Sequence, residues 1–253
     1  MWAPDVYEGA PTPVTAFFAS AEKVAAIAIT LRLVLTAFEG IPGQWRQIII
    51  FISILSMVLG AFAAIGQSNF KRLMAYSAIN HIGYALVGLA AGGEAGVASV
   101  LTYMAIYLVM TLGTFAGILA MRTGGESVEN IADLSGLART DGVMAFFLAM
   151  MMFSLAGVPP LAGFFAKWYV FSAAIQARLY VLAVIGILSS AVAAYYYLRV
   201  VKVMYFDEPA PAFDKGALAP RAVLALTGLF VVFLFAYPGF LIEATRAAAG
   251  SLF

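Results

Sequence analysis

Seven stretches of this chain stay apolar for about twenty residues or more: 13–38, 48–66, 73–91, 97–121, 143–175, 179–204 and 222–242. A run of roughly 20 apolar residues is what an α-helix needs to cross the hydrocarbon core of a bilayer. The runs are continuous rather than alternating over about ten residues, which excludes a membrane β-barrel. Charged residues make up 11% of the chain, against about 25% in a soluble domain, too few to cover a water-facing surface. The expected fold is all-α: a polytopic transmembrane helix bundle of about seven spans, one domain over residues 1–253, embedded in the lipid bilayer.

The connectors are legible. EGIPGQWRQ, GQSNFKR, AAGGEAG and IQAR are short, whereas RTGGESVENIADLSGLARTDG and YFDEPAPAFDKGALAPR are longer, polar and rich in turn residues. Within the former, VENIADLSGLA can form a short interfacial helix. The opening MWAPDVYEGAPTPV is polar and proline-rich with no basic region, so it is not a signal peptide. It reads as a loop following an earlier span, with Met1 an internal methionine of a longer chain.

Alternate connectors sort the basic residues. One set holds Lys71, Arg72, Arg122, Arg139, Arg199, Lys202, Lys215 and Arg221; the other holds Arg46, Arg178 and Arg246. The richer side is expected in the cytoplasm, with the N-terminal segment there and the C-terminus on the opposite, periplasmic face. No basic cluster suggests a nucleic acid. The absence of cysteine removes thiol catalysis and iron–sulfur ligation, and one histidine cannot form a bis-histidine haem site. Chemistry here must use lysines, carboxylates, one imidazole and hydroxyls.

Two lysines lie deep inside spans. Lys167 is eleven residues from Arg178, roughly 16 Å along a helix, and Lys23 is ten residues past Pro13, roughly 15 Å. An ammonium at that depth costs at least about 2.5–3.5 kcal/mol, and a midplane side chain is too short to reach the interface. A polar or hydrated interior relieves the cost, and a lysine that can release its proton there is a proton carrier. Arg32 lies nearer a span end and can snorkel.

Hydroxyls offer company. Ser77, Asn80, His81, Tyr84 and Gly88 recur at helical spacing in the third span, as do Tyr103, Tyr107, Thr111 and Thr114 in the fourth, while Ser189, Tyr196 and Tyr197 lie in the sixth. Imidazole titrates near neutrality and suits a relay. The fifth run is broken at Pro159 and Pro160, flanked by Gly157 and Gly163. A membrane helix tolerates lost backbone bonds only where protein or water re-satisfies them, and broken helices are a habit of ion transporters. A second half-helix starting near Leu161 would carry Lys167 in its second turn, beside its positive end.

Plainer readings stand beside these. The prolines can be a packing kink, Lys167 a structural cation and His81 a hydrogen-bonded core residue. Glu22 can neutralise its neighbour Lys23, the tyrosines and serines can be glue between helices, and Lys71 and Arg72 can be ordinary interfacial charges.

The segments MWAPDVYEGAPTPVTAFFASAEKVA, NFKRLMAYSAINHIGY, SLAGVPPLAGFFAKWYVF and AVAAYYYLRV together resemble the antiporter-like membrane subunits of respiratory complex I. The resemblance spans essentially the whole chain. It implies the second half of a fourteen-helix fold of two inverted repeats, each with one broken helix. It implies that Lys23, His81 and Lys167 form a proton relay, with a less defined role for Lys71. It implies partners among the other membrane-arm subunits, with flavin, iron–sulfur clusters and quinone held by partner subunits, no cofactor or soluble substrate bound by this chain, and a place in the cell inner membrane. The glutamate–lysine pair that serves as the family's input site precedes this sequence. The alternatives are a subunit of a sodium/proton antiporter on the same fold and a non-conducting membrane scaffold.

Overall fold

Two helices, α4 (Phe70–Ala91) and α5 (Gly93–Ala120), form the centre of the bundle and are buried on nearly every side. They appear in a computed structural model that describes residues 2–214 and 218–252. Asn69 starts α4 by accepting a hydrogen bond from the Arg72 amide at 3.0 Å. The chain then reverses at Gly92 and Gly93, whose φ angles of 72° and 63° favour glycine, as the turn read from AAGGEAG requires.

Around this pair stand α2 (Thr12–Arg32), continued by a π-helical turn to Ala37, α3 (Pro42–Ile65), α9 (Tyr180–Phe206) and α10 (Leu218–Ala236). Six helices among the described residues are long and apolar enough to cross a membrane. The pair α7 (Gly142–Ala156) and α8 (Ala162–Gln176) occupies the fifth apolar run, broken where the prolines lie. The outer helices present apolar side chains outward, among them Phe51, Phe62, Leu188, Leu229 and Phe233, as lipid or a neighbouring span demands.

Burial of apolar surface does little to join helices in lipid, so close packing of small residues takes that role. At the crossing of α3 and α4, a Cβ on Gly60 would lie 2.6 Å from the Asn80 amide nitrogen, and one on Gly83 would lie 2.9 Å from that of Met57. The two backbones touch there.

Four expectations need correction. The N-terminal segment is not an open loop: Ala3–Gly9 form helix α1, with a proline in its first turn. The stretch 128–138 is not one helix: a 3₁₀ turn at Ile131–Leu134 and the short α6 (Leu137–Thr140) are separated by Gly136, φ 62°. The last span ends at Ala236 rather than 242, because Pro238 lacks the amide to continue it; Gly239–Gly250 fold as a separate helix, α11. A two-residue hairpin, β1 (Arg122–Thr123) with β2 (Glu126–Ser127), occupies one connector. Met1 and Lys215 lie outside the described residues.

The connectors sort to two ends. At one end, the Phe70 amide donates to Glu129 O at 2.7 Å, Ile131 to Ser68 O at 2.8 Å, Gly136 to Val203 O at 3.0 Å and Ala210 to Ser135 O at 2.9 Å. At the other, Arg46 Nε donates to Ala90 O at 2.7 Å and α11 packs on α5 through a Thr102–Thr245 hydrogen bond of 2.8 Å. Ala10, after α1, lies at the first end through its bond from Lys71 Nζ, and α11 lies at the second.

Candidate functional site

The break in the fifth apolar run is built around one amine. Asp141 caps α7 at its start, and Gly157, φ 87°, ends it in the left-handed conformation. The last carbonyls of α7 then have no helical donor. Lys167, in the second turn of α8, supplies one: its Nζ lies 3.0 Å from Leu155 O, 2.8 Å from Ala156 O and 2.7 Å from Ser190 Oγ on α9. The side chain reaches back across the break to the negative end of α7. The sequence reading set it beside the positive end of its own helix, and the length of the lysine stem is what reverses that.

Glycines make the room. A Cβ on Gly157 would lie 2.9 Å from Lys167 Cδ, and one on Gly163 would overlap the Ser154 carbonyl. The Gly163 amide instead donates to Ser154 Oγ at 3.0 Å. Pro159 and Pro160, joined by a cis bond, lie at the exposed edge of the break.

Lys167 is buried, with the face of the Tyr84 ring 5.1 Å from its Nζ. Tyr84 Oη lies 3.2 Å from Ser189 Oγ, which also contacts Met57 O at 3.0 Å and Asn80 Oδ1 at 3.2 Å. The ring of His81 stands edge-on to that of Tyr84 at 5.7 Å and leans on Tyr107 at 5.1 Å. His81 is held at both nitrogens, Nδ1 by Tyr103 Oη at 2.6 Å and Nε2 by Tyr197 Oη at 3.0 Å, and Tyr197 continues to Ser77 Oγ at 2.5 Å. A neutral imidazole donates from one nitrogen and accepts at the other, and a hydroxyl can do either. Both tautomers therefore fit without moving a heavy atom.

Buried near this cluster, Asn80 Nδ2, Thr111 Oγ1 and Tyr196 Oη have no hydrogen-bond partner among the described residues. Thr114 bonds only its own helix, at Met110 O. Beyond Lys167, toward the α11 end, a cavity of about 640 Å³ is lined by Glu94, Ser99, Tyr169, Ser172, Gln176 and Arg246, among others.

Lys23 stands apart. It is half-buried on α2, donates to Tyr7 Oη and to Phe18 O, the latter at 3.1 Å, and borders a cavity of about 430 Å³. Glu22 makes no direct ion pair with it: among the described residues neither Lys23 nor Lys167 forms one. Adjacent helical positions diverge by about 100°, and Glu22 is exposed. No unbroken line of side-chain hydrogen bonds joins Lys23 to His81 among the described residues. The structure thus gathers His81 and Lys167 into one cluster and leaves Lys23 at its rim.

Lys71 is not an ordinary interfacial charge. It is 2% exposed, with Nζ 2.8 Å from Glu129 Oε1 and 2.8 Å from Ala10 O. Arg72 beside it does carry surface contacts, to Asp5 at 2.6 Å and Glu8 at 2.8 Å. Sequence reasoning missed Tyr7, Ser190 and Glu129. Tyr7 and Glu129 sit in segments read as polar loops, and Ser190 is one serine beside another.

The NADH:quinone oxidoreductase/Mrp antiporter transmembrane family matches residues 1–193. The NADH-quinone oxidoreductase subunit N of Beijerinckia indica is 73% identical over 253 residues, all of this chain and 53% of that protein. Subunit N 1 of Rhizobium meliloti is 63% identical over all of this chain and 53% of its own length. The chain thus spans about half the length of the curated relatives it matches. Among solved structures, a chain of respiratory complex I from Thermus thermophilus with bound aureothin superposes with a TM-score of 0.82 at 33% identity, covering 96% of this chain and 54% of that one. A chain of the Mrp complex from Dietzia superposes at 0.89 with 22% identity, over 99% of this chain and 55% of that one, a likeness of fold alone.

Proposed function

Because the chain belongs to the NADH:quinone oxidoreductase/Mrp antiporter transmembrane family, we propose that it works as the C-terminal half of a subunit N. That subunit is a proton-translocating component of the membrane arm of an NADH–quinone oxidoreductase. Electron transfer belongs to partner subunits, which hold the flavin, iron–sulfur clusters and quinone; this chain's share is proton movement. The basic connectors face the cytoplasm, which puts the C-terminus in the periplasm of a cell inner membrane.

One observation carries the reading: Lys167 is buried at a helix break with three oxygen acceptors and, among the described residues, no ion-pair partner. A purely structural cation in lipid would be expected to have a carboxylate partner. The oxygens accept from an ammonium without adding a fixed negative charge that would hold its proton. His81 can take a proton at one nitrogen and release one at the other, because each faces a hydroxyl. Asn80, Thr111 and Tyr196 offer the unpartnered polar atoms that water would bridge between the groups. The 640 Å³ cavity lined by Ser172 farther along α8 is the candidate route toward the α11 face, although Lys167 itself does not line it. Lys23 would feed this cluster.

A sodium/proton antiporter subunit is the second reading, favoured by the Mrp-like fold. Sodium needs oxygen ligands, and Glu22 and Glu94 are the acidic residues of the six long helices. A scaffold role would make Lys167 dispensable. The test is Lys167→Ala in the full-length subunit, assembled in membrane vesicles. NADH-driven acidification and quinone reduction should fall together at unchanged assembly. Undiminished pumping would overturn the reading, and sodium-dependent activity without NADH would favour the antiporter.

A further inference from the structure

We propose that Tyr7 is a positioning residue for Lys23, and that helix α1 is clasped to the bundle in order to hold it there. The inference rests on the relay reading above and adds a member to it.

Tyr7 lies outside the spans, on a seven-residue helix that covers the end of the bundle. It is nonetheless 5% exposed, its ring packed edge-on to Phe115 of α5 at 6.3 Å. Lys23 Nζ donates to its hydroxyl and lies 4.9 Å from its ring centroid. Its other acceptor among the described residues is a carbonyl of its own helix, Phe18 O. Tyr7 is therefore the group from another element that aims the amine.

A hydroxyl is suited to a lysine that changes charge. It accepts from an ammonium and, after rotation of its own O–H, donates to the lone pair of a neutral amine. A carboxylate would trap the charged form, and a carbonyl has no proton to offer the lone pair of the neutral amine. Burial pushes the Tyr7 phenol well above its ordinary range, so the hydroxyl keeps its proton through either state.

Four contacts fix α1. Arg72 binds Asp5 and Glu8, Lys71 binds Ala10 O directly after the helix, and Thr15 Oγ1 donates to Tyr7 O at 3.2 Å. Glu129, paired with Lys71, also accepts from Thr12 Oγ1 at 3.1 Å, at the start of the helix that carries Lys23. The clasp thus sets α1 and α2 in one register, which is the register that brings Tyr7 to Lys23.

The experiment compares Tyr7→Phe, Tyr7→His and Lys23→Ala in the full-length subunit within the assembled complex. Protons translocated per NADH and turnover per assembled complex are measured alongside thermal stability. Tyr7→Phe should lower coupled turnover about ten- to a hundredfold, as loss of a hydrogen bond to a charge allows, with assembly unchanged. Tyr7→His, which restores a group able to accept and donate, should recover most of it. The double variant Tyr7→Phe/Lys23→Ala should match Lys23→Ala alone. Wild-type turnover in Tyr7→Phe beside an inactive Lys23→Ala overturns this proposal and leaves the relay standing. Full activity in Lys23→Ala overturns Lys23's place in the relay and this proposal with it. A Tyr7→Phe complex that loses stability but keeps its per-complex turnover assigns Tyr7 to folding alone, and the proposal falls.

Discussion

Lys167 Nζ and Ala156 O are 2.8 Å apart across the break, so the second half-helix supplies the cation that caps the first. The arrangement depends on Gly157. Gly157→Ala would place a Cβ 2.9 Å from Lys167 Cδ at a φ of 87°. The backbone strain alone is about 1–2 kcal/mol, and the amine must shift from its carbonyls. We expect a lower melting temperature and slower proton translocation from one substitution, whereas Lys167→Ala lowers translocation at unchanged assembly.

His81 holds two buried hydroxyls. His81→Ala leaves Tyr103 without its ring partner, at about 1–3 kcal/mol for the unsatisfied group, while Tyr197 keeps its bond to Ser77. Tyr197→Phe removes one of the two contacts and should cost less. A double-mutant cycle on turnover, His81→Ala with Tyr197→Phe, should be strongly non-additive if the pair acts as a unit. Additive losses would show that they act separately.

Lys71→Ala removes one partner of a pair whose lysine is buried and whose glutamate is 23% exposed. A fully buried pair loses about 3–5 kcal/mol when broken; here about 2–3 kcal/mol is expected, because Glu129 retains contact with water. Thermal denaturation in detergent reads the loss. Limited proteolysis should then cut within residues 8–12, which the clasp otherwise covers.

Gly83→Val tests the backbone contact of α3 and α4. The new side chain meets Met57 N and Ser53 O, so the helices must part by an ångström or more. Ser53 Oγ then loses its 2.7 Å bond to Gly83 O. The expected outcome is a subunit that fails to accumulate in the membrane, read by immunoblot, while Gly66→Ala, with open space around it, accumulates normally.

Apolar run length was enough to read the six long helices and the break, because in a bilayer the backbone has few ways to satisfy its own hydrogen bonds. Pro159 and Gly157 marked the break to within a residue. Pro238 carried the same signal at the end of the last span, but the apolar run continued past it and masked the stop. The short helix α1 was hidden because proline, glycine and acidic residues in APDVYEG read equally as loop or first turn. His81 and Lys167 were legible as polar residues in apolar helices. Their partners were not, because Tyr7, Ser190 and Glu129 come together through tertiary packing that no periodicity encodes. Nor does composition tell which way a lysine stem turns, which is why Lys167 was assigned to the wrong helix end.

Ser189 has one hydroxyl proton and two carbonyl-type neighbours, Met57 O and Asn80 Oδ1. It cannot donate to both at once. If the proton goes to Met57, the Asn80 amide gains by rotating its unpartnered Nδ2 toward Ser189. If it goes to Asn80, the amide stays and the α3 carbonyl is released. Two bonding patterns of nearly identical shape therefore share these atoms, next to Tyr84 and within a ring's width of Lys167. The choice lies in the directions of the Ser189 and Tyr84 O–H bonds and of the Asn80 amide, and can be changed without moving a helix.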